Sequence, residues 1–505
     1  MALSNGATSV PTSVVAVALP QIHKEFNASL SELAWTLTAF TLAYSSLLIA
    51  AGKLSDVFGR RLFFLAGSTI YGLAALGASL APNALLLIVG VAAMGVGAAI
   101  LTPASLSILR NVFEAEKLGT AIGIWGTMGT IVAGIGPALG GVLTEWEWRS
   151  VFWINVPLAA GFFLLALTST PESRDPNAER HVDVFGLTAI IAGLTALSLA
   201  LIQGQTWGWT AAPTIVLFVA GVALLIAFGV IEPRIRNALV DFSLFRHRNF
   251  SGANATVFAL NFVIAALLFF LPLYLQELLG YTPLKSGLLL LPLSATMAIT
   301  LLSGGAIADR IGTRIPITVG LLVTAVGSYL LTRLAVTADY DELWPAMLVL
   351  GAGLGLTITP LNMAAITAVS KAQAGVAAGL LTTIGGLGGV FGVALSNGLF
   401  QQQQDSEMDD LLAKAGLHLS NSTERELLGI LSGAPDAKEE LAKFSASVQD
   451  TITNAVHDSF VFGISNVMWL STGVALASAV FTALVMKGKP PVEEAAEKQP
   501  ELTAA

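Results

Sequence analysis

The sequence predicts an all-α membrane protein with fourteen transmembrane helices, and three observations carry this. The 505-residue chain is 54% hydrophobic and only 11% charged, whereas soluble domains carry about 25% charged residues. The charge that exists is clustered, so that Leu62 to Leu109, Val184 to Ile231 and Val376 to Gln404 contain no Asp, Glu, Lys or Arg. A membrane-spanning helix needs about 20 such residues, and the pattern recurs along the whole chain.

Apolar runs between charged or Pro/Gly breaks place the spans at 4–22, 33–53, 62–80, 84–106, 118–143, 151–170, 184–204, 213–231, 252–275, 286–307, 315–335, 344–364, 375–400 and 460–486. Span 1 is the most polar, with SNGATSVPTS near its start. It is either a broken helix or a start lying inside a longer first helix. Spans 2 and 3 are parted by KLSDVFGRR, spans 5 and 6 by EWEWRS, and spans 10 and 11 by ADRIGTR. Spans 13 and 14 are parted by the long segment 401–459, which carries eleven acids against four bases. Its MDDLLAKAGLHL and DAKEELAKFSASVQD patterns suggest short amphipathic helices. The segment reads as a solvated cap rather than a substrate-capturing domain, because charge runs are usually solvated.

Lys and Arg set the orientation. With fourteen spans, 17 of the 25 basic residues fall on the side that holds both termini, and 8 on the other. Both termini are expected to be cytoplasmic, and the acidic segment external.

Other chemistries are excluded. There are no cysteines, so disulfides and thiolate metal sites are absent, and the five histidines are dispersed. No nucleophile elbow, P-loop or metalloprotease motif occurs, so no enzyme, cofactor, metal or nucleic-acid partner is expected. GAGLGLT from Gly351 lies inside an apolar run and reads as close helix packing.

Two loops repeat. GKLSDVFGRR (52–61) and GAIADRIGTR (305–314) both read G-x-x-x-D-x-x-G-x-R. Internal duplication marks many secondary transporters, with the substrate site between the halves. The candidate gating residues are Gly52, Asp56, Gly59, Arg60 and Arg61, with Gly305, Asp309, Gly312 and Arg314. Asp56 can meet a helix N-terminus or pair with Arg60 or Arg61. The copies follow spans 2 and 10, so spans 7 and 8 must be inserted between two six-helix halves. The expected organisation is 1–182 as the first bundle, 183–250 as the inserted helices and linker, 251–487 as the second bundle, and 488–505 as a tail.

These residues resemble the major facilitator superfamily, and within it the fourteen-helix drug:proton antiporter family. Gly52 to Arg61 is similar to the superfamily's loop 2–3 signature. GIGPALGG, with Gly134, Gly136, Pro137, Gly140 and Gly141, resembles the antiporter motif of helix 5. EWRSVFWINVPL, GQTWGW and LPLYLQELLGYTPLKSGLLLLP resemble further hallmarks of that family. The resemblance implies the major facilitator fold, a monomer in the plasma membrane, and export of lipophilic drugs or metabolites in exchange for protons. Glycines let a neighbouring helix approach closely, and Pro137 kinks helix 5. Trp146 and Trp148 fit an outer aromatic belt. Arg149 has Glu145 and Glu147 within reach and reads as a structural lock, while Asn155 can cap helix 6 or bond across helices.

The chain departs from the family at its usual polar positions. The helix 1 Asp and Asn positions are Pro11 and Ala16. The helix 4 Arg and Gln positions are Val91 and Met94, and helix 13 has Gly385 and Gly386. An intramembrane carboxylate is the natural proton carrier, yet none of the 33 acids lies at the centre of a span. Glu32, Glu277 and Asp183, at span ends, are the remaining candidates. Trp35, Tyr44, Met94, Trp125, Asn254, Asn261 and Asn362 are candidates for lining a mostly apolar cavity, which suits lipophilic or amphiphilic compounds. The missing charges also fit an uncoupled facilitator or a lipid-moving protein on the same fold. A non-transporting scaffold or sensor is a third reading.

Overall fold

The computed structural model describes residues 2–112, 132, 135–170, 172–173, 183–235, 242–336, 340–369, 374–417, 419–431 and 435–487. The helices are α1 (Ala2–Phe26), α2 (Leu30–Phe58), α3 (Arg60–Ser79), α4 (Ala84–Val112), α5 (135–146), α6 (Ser150–Trp153), α7 (Asn155–Ser169), α8 (Val184–Trp207) and α9 (Ala212–Ile231). They continue with α10 (Arg248–Leu273), α11 (Pro283–Leu289), α12 (Leu291–Ile311), α13 (Arg314–Leu330), α14 (Tyr340–Thr367), α15 (Ala374–Lys414), α16 (Asn421–Leu428), α17 (Pro435–Ala442) and α18 (Ala446–Val485). Among the described residues there is no strand. Among the described residues eleven helical segments are long and apolar enough to cross a membrane, and they coincide with expected spans 3, 4 and 6 to 14.

Several boundaries differ from the apolar runs for local reasons. Expected span 6 breaks at Ile154 into α6 and α7, where Pro157 has no N–H for the Trp153 carbonyl. Expected span 9 runs on past Pro272 into a π-helical turn, Tyr274–Leu278. The largest correction concerns 401–459, where α15 continues to Lys414 and α18 begins at Ala446. Met408, Leu412, Leu427, Ile452 and Val456 form a separate apolar core there. The acidic segment is thus a packed helical cap with its own core.

Glu424 on α16 carries the cap's main titration. Partial burial, then a hydrogen bond and repulsion from Asp409, and repulsion from Asp405, push its carboxyl from 4.5 up to about 7. A raised carboxyl stabilises the fold when protonated, fully so below about 4.5, and that contribution is lost as pH rises through about 7. Hydrogen exchange in α16 and α17, corrected for intrinsic rates, is expected to speed up between pH 5 and pH 8. Glu424→Gln should remove the change, and equal protection of the native cap at both pH values would refute the assignment.

Successive spans, with α6–α7 and α11–α12 each counted as one, must cross in alternate directions, which defines two faces. The loops at Gly59 and Gly312 share one face with Glu172, Ser173 and Glu232 (the basic-loop face). The cap shares the other with the turns at 27–29, 80–83, 147–149 and 279–282 (the acidic-loop face). Within one half α3 packs on α4 and α7, and α2 on α4; within the other α12 and α13 pack on α14, and α10 and α18 on α15. α8 and α9 pack together, and α8 lies against both α2 and α15 through Leu42, Leu194 and Val390. The inserted hairpin therefore flanks one seam between the halves.

Glycines set the closest approaches. A Cβ at Gly97 would stand 2.5 Å from the Tyr71 nitrogen, and one at Gly351 or Gly355 would collide with the Leu293 or Met297 carbonyl. Real Cβ atoms essentially never come within 3.0 Å. GAGLGLT is accordingly a packing surface between α14 and α12.

Candidate functional site

The two halves come into close backbone contact where α5 runs between α1 and α11. A Cβ at Gly140 would stand 2.7 Å from the Val14 carbonyl oxygen of α1. On the next face, a Cβ at Gly141 would stand 2.8 Å from the Pro283 carbonyl oxygen, and one at Gly287 would collide with that of Pro137. Gly136 and Pro137 are buried. At the end of this seam the Leu284 N–H donates to Glu145 Oε2 at 3.2 Å. Gly134 and Trp125 lie outside the described residues.

The adjoining corner corrects the expected pairing of Arg149. Its guanidinium donates to Glu25 of α1 at 2.6 Å and to the Ala81 carbonyl at 2.9 Å, and it lies over the Trp148 ring at 4.4 Å. Tertiary folding brings Glu25 and Ala81 nearer than the sequence neighbours Glu145 and Glu147. Trp148 is also not part of an exposed belt. It is 5% exposed, packs edge-on against Phe26 and Phe152, and donates to Glu25. Trp146 is 83% exposed. Asn155 bonds across helices, its Oδ1 facing the Tyr71 hydroxyl of α3 at 2.8 Å.

Of the three candidate proton carriers, two are helix caps. Glu32 closes a capping box with Ser29 at the start of α2, and Asp183 caps α8 by accepting the Gly186 N–H at 2.8 Å. A Cβ at Gly186 would collide with Asp183 Oδ2 and stand 2.5 Å from Glu232 Oε2, so two carboxylates share one small space at the start of α8 and the end of α9. Glu277 is different. It lies on the π-turn, its side chain is 3% exposed, and its Oε1 is 2.8 Å from His23 Nδ1 on α1. Beside it Gln276 Nε2 donates to the Val17 carbonyl at 2.8 Å.

Between α2, α10 and α15 the seam opens into a groove of about 160 Å³, lined by Leu37, Thr38 and Thr41, by Asn261 and Ile264, and by Gly385, Gly389 and Val393. Of the six proposed cavity residues that are described, Asn261 alone lines it. Met94 is fully buried inside the first bundle, because neighbouring Gly95 and Gly97 draw α4 onto α2 and α3. Trp35 packs with Leu42 and Ile190 against α8, and Tyr44 stacks on Phe40 at 5.9 Å. Asn254 is 3% exposed and donates to the Phe250 carbonyl, and exposed Asn362 donates to that of Ile358. The GGLGG run has a steric reason. A Cβ at Gly388 would collide with the Phe258 carbonyl of α10, and one at Gly386 with Ser45 of α2. Thr383 donates to the Ser45 carbonyl at 3.0 Å across the same seam.

At the basic-loop face, Gly59 and Gly312 end their helices at φ +134° and +83°, conformations that glycine adopts without steric cost. The Arg61 guanidinium donates to the Leu167 carbonyl of α7 at 2.5 Å. The anion at the start of α3 is Glu172, which accepts the Arg61 and Leu62 N–H groups at 3.1 and 3.2 Å, as a helix N-terminus favours. The Arg60 N–H donates to the Ser173 carbonyl at 3.0 Å. Sequence reasoning missed Glu172, which stands 111 residues from its partner. Gly52 is in ordinary contact with Pro103, and Gly305 approaches Thr359. The Asp56 backbone is helical, while its side chain lies outside the described residues. Asp309 and Arg314 are exposed.

The chain is similar to several resistance proteins. It is 32% identical over 410 residues to the multidrug resistance protein Stp of Mycobacterium tuberculosis, covering 80% of this chain and 75% of the relative. It is 29% identical over 497 residues to the tetracenomycin C resistance and export protein of Streptomyces glaucescens, covering 97% and 91%. It is 33% identical over 391 residues to a puromycin resistance protein of Streptomyces alboniger, covering 76% and 77%. The fold is shared with a bacterial homolog of the human lysosomal transporter Spinster, solved inward-facing and unoccupied, at a TM-score of 0.67 and 16% identity over 96% and 95% of the two chains. Residues 1–393 match the model of the Major Facilitator Superfamily. With two glycine-packed halves meeting along this seam, the chain is a multi-pass membrane transporter belonging to the Major Facilitator Superfamily.

Proposed function

We propose that this transporter exports lipophilic drugs or metabolites across the bacterial plasma membrane by alternating access, in exchange for protons, with both termini cytoplasmic. The observation that carries the reading is the seam itself. The halves touch through glycine backbones at the acidic-loop face, and among the described residues the groove between α2, α10 and α15 is small and mostly apolar. At about 160 Å³ the groove is below the ~300–1,000 Å³ of ordinary ligand sites. A drug-sized substrate therefore needs the halves to part. Relatives named for multidrug resistance and antibiotic export support the substrate class.

The second reading, an uncoupled facilitator or amphiphile transporter, is favoured by the apolar residues Pro11, Ala16 and Val91. One experiment separates the two. Purified protein in liposomes with a trapped pH dye is given ethidium, puromycin and neutral amphiphiles in turn. Antiport predicts that substrate flux in one direction moves protons in the other. Substrate movement without a pH change would establish the facilitator, and no movement of any probe would refute both.

A further inference from the structure

We propose that the pocket between the end of α13 and the start of α14 is a lipid site, which holds the phosphoethanolamine headgroup of a phospholipid in the leaflet at the acidic-loop face. Three observations carry it. The pocket is preformed and has one charge of each sign in its wall. An exposed apolar stripe leads to it along α13. Tryptophans stand at its level.

The pocket has a volume of about 240 Å³, and Leu330, Arg333, Leu334, Glu342 and Pro345 are in its wall. That is below the ~300–1,000 Å³ of drug-sized ligand sites, and it suits a small headgroup. α13 rises from Arg314 at the basic-loop face, so Arg333, closing the 3₁₀ turn Leu331–Arg333 that follows, stands at the acidic-loop face. The backbone is fixed on both sides of it. The Thr332 carbonyl accepts from the Ser465 hydroxyl of α18 at 2.8 Å, and the Ala335 carbonyl from the Tyr274 hydroxyl at 2.7 Å. The guanidinium donates to the Tyr329 hydroxyl at 3.2 Å and lies over that ring at 5.5 Å, which uses one of its five N–H donors. Glu342, in the first turn of α14, is exposed in the same pocket. Among the described residues Arg333 and Glu342 form no ion pair with each other.

A guanidinium and a carboxylate held apart in one small pocket match a ligand that carries both a phosphate and an ammonium. The guanidinium fork fits phosphate oxygens, and the carboxylate accepts the N–H groups of a primary ammonium. Asp341, exposed beside Glu342, adds negative charge that works against a headgroup with a phosphate alone. The acyl chains also have a path. Leu322, Val326 and Tyr329 stand at i, i+4 and i+7 of α13, so they share one face, and this face leads toward Arg333. Leu322 and Val326 are exposed on a segment apolar and long enough to cross a membrane. Trp469, edge-on to Tyr329 at 5.3 Å, and Trp344, next to Pro345, are exposed as well. Tryptophan favours the headgroup level of a bilayer, which puts the pocket where a lipid phosphate lies.

Delipidated protein is titrated with dioleoyl phosphatidylethanolamine, phosphatidylcholine and phosphatidylglycerol in turn, and the first bound lipid is followed by native mass spectrometry. The ethanolamine lipid is expected to bind about tenfold more tightly than phosphatidylglycerol, the factor that one charge-assisted hydrogen bond supplies. It should also exceed the choline lipid, whose ammonium has no N–H. Arg333→Gln should weaken the ethanolamine lipid about tenfold, and Glu342→Gln should remove its advantage over the other two. Both side chains are exposed, and thermal unfolding without lipid checks that the variants keep their fold. In the native protein a photoactivatable phosphatidylethanolamine should label residues 322–346, a readout that needs no variant. Equal affinity for the three lipids, a native-like titration of either folded variant, or labelling confined to other helices overturns the site. Excess soluble glycerophosphoethanolamine should leave the lipid in place. Full displacement would show a site for free phosphate esters and overturn the lipid assignment.

Discussion

Replacing Gly287 by valine is expected to lower substrate efflux about tenfold or more while leaving the chain folded. Gly287 has no room for a side chain, because any Cβ there collides with the Pro137 carbonyl and stands against Gly141. The contact lies between the halves rather than within one, so each bundle keeps its own core. Overpacking of this kind costs roughly 1–3 kcal/mol, and about 1.4 kcal/mol is a factor of ten in an equilibrium. The whole penalty falls on the shut state of the acidic-loop face, which the transport cycle must visit. Efflux of ethidium from cells and the separation of spin labels at Pro82→Cys and Ala335→Cys, exposed positions on opposite halves of this face, together check this. Full efflux with an unchanged separation would show that the α5–α11 seam does not need its glycines. Gly77, which has open space where a Cβ would lie, provides the control, and Gly77→Ala should transport normally.

The second large effect is on stability. Asn155→Leu is expected to destabilise the protein by about 1–3 kcal/mol, the usual cost of stranding a buried polar partner. Asn155 is fully buried. Its amide donates to the Val151 and Phe152 carbonyls, while its oxygen faces the Tyr71 hydroxyl, which also reaches the Ala7 carbonyl at 2.9 Å. One side chain thus ties α7 to α3 and, through Tyr71, to α1. Thermal unfolding followed by tryptophan fluorescence should show a clear drop for Asn155→Leu and a smaller one for Tyr71→Phe. The double variant should lose less than the sum, since the two residues share one bond. Additive losses would mean the bond contributes nothing.

Much of the fold was legible because lipid imposes a simple rule: backbone polar groups must be satisfied within the helix, so spans are long apolar runs. The repeat at Gly52 and Gly305 was equally legible, since a matched spacing needs no tertiary information. The ends of spans were harder to place. The cap helices α15 and α18 continue well past the apolar runs, because Leu412 and Ile452 find an apolar core outside the expected bilayer. Periodicity near these residues showed amphipathic helices but not what they face.

The candidate site was less legible. Arg149 had two acids as sequence neighbours, and the fold paired it with Glu25 at 124 residues' separation. Asp56 was expected to meet a helix N-terminus or pair with Arg60 or Arg61, and its side chain lies outside the described residues, whereas Glu172, which no local pattern pointed to, caps the helix that Arg61 opens. Trp35 and Met94 have the chemistry of a cavity wall, yet packing against α8 and α4's glycine contacts place them in cores. A residue's type says what it can bind, whereas its position relative to other helices decides whether it is free to do so.

What the sequence by itself determined was the number and character of the apolar runs, their alternating charge, the duplicated loop and the glycine-proline helix. These are local properties, set by solvation of backbone and charge. Only the tertiary structure decided that α5 runs between α1 and α11 at the seam, that α8 and α9 flank α2 and α15, and that His23 meets Glu277 across 254 residues. The physical reason is that long-range pairs depend on the crossing geometry of close-packed helices, where one missing Cβ moves a whole backbone by ångströms.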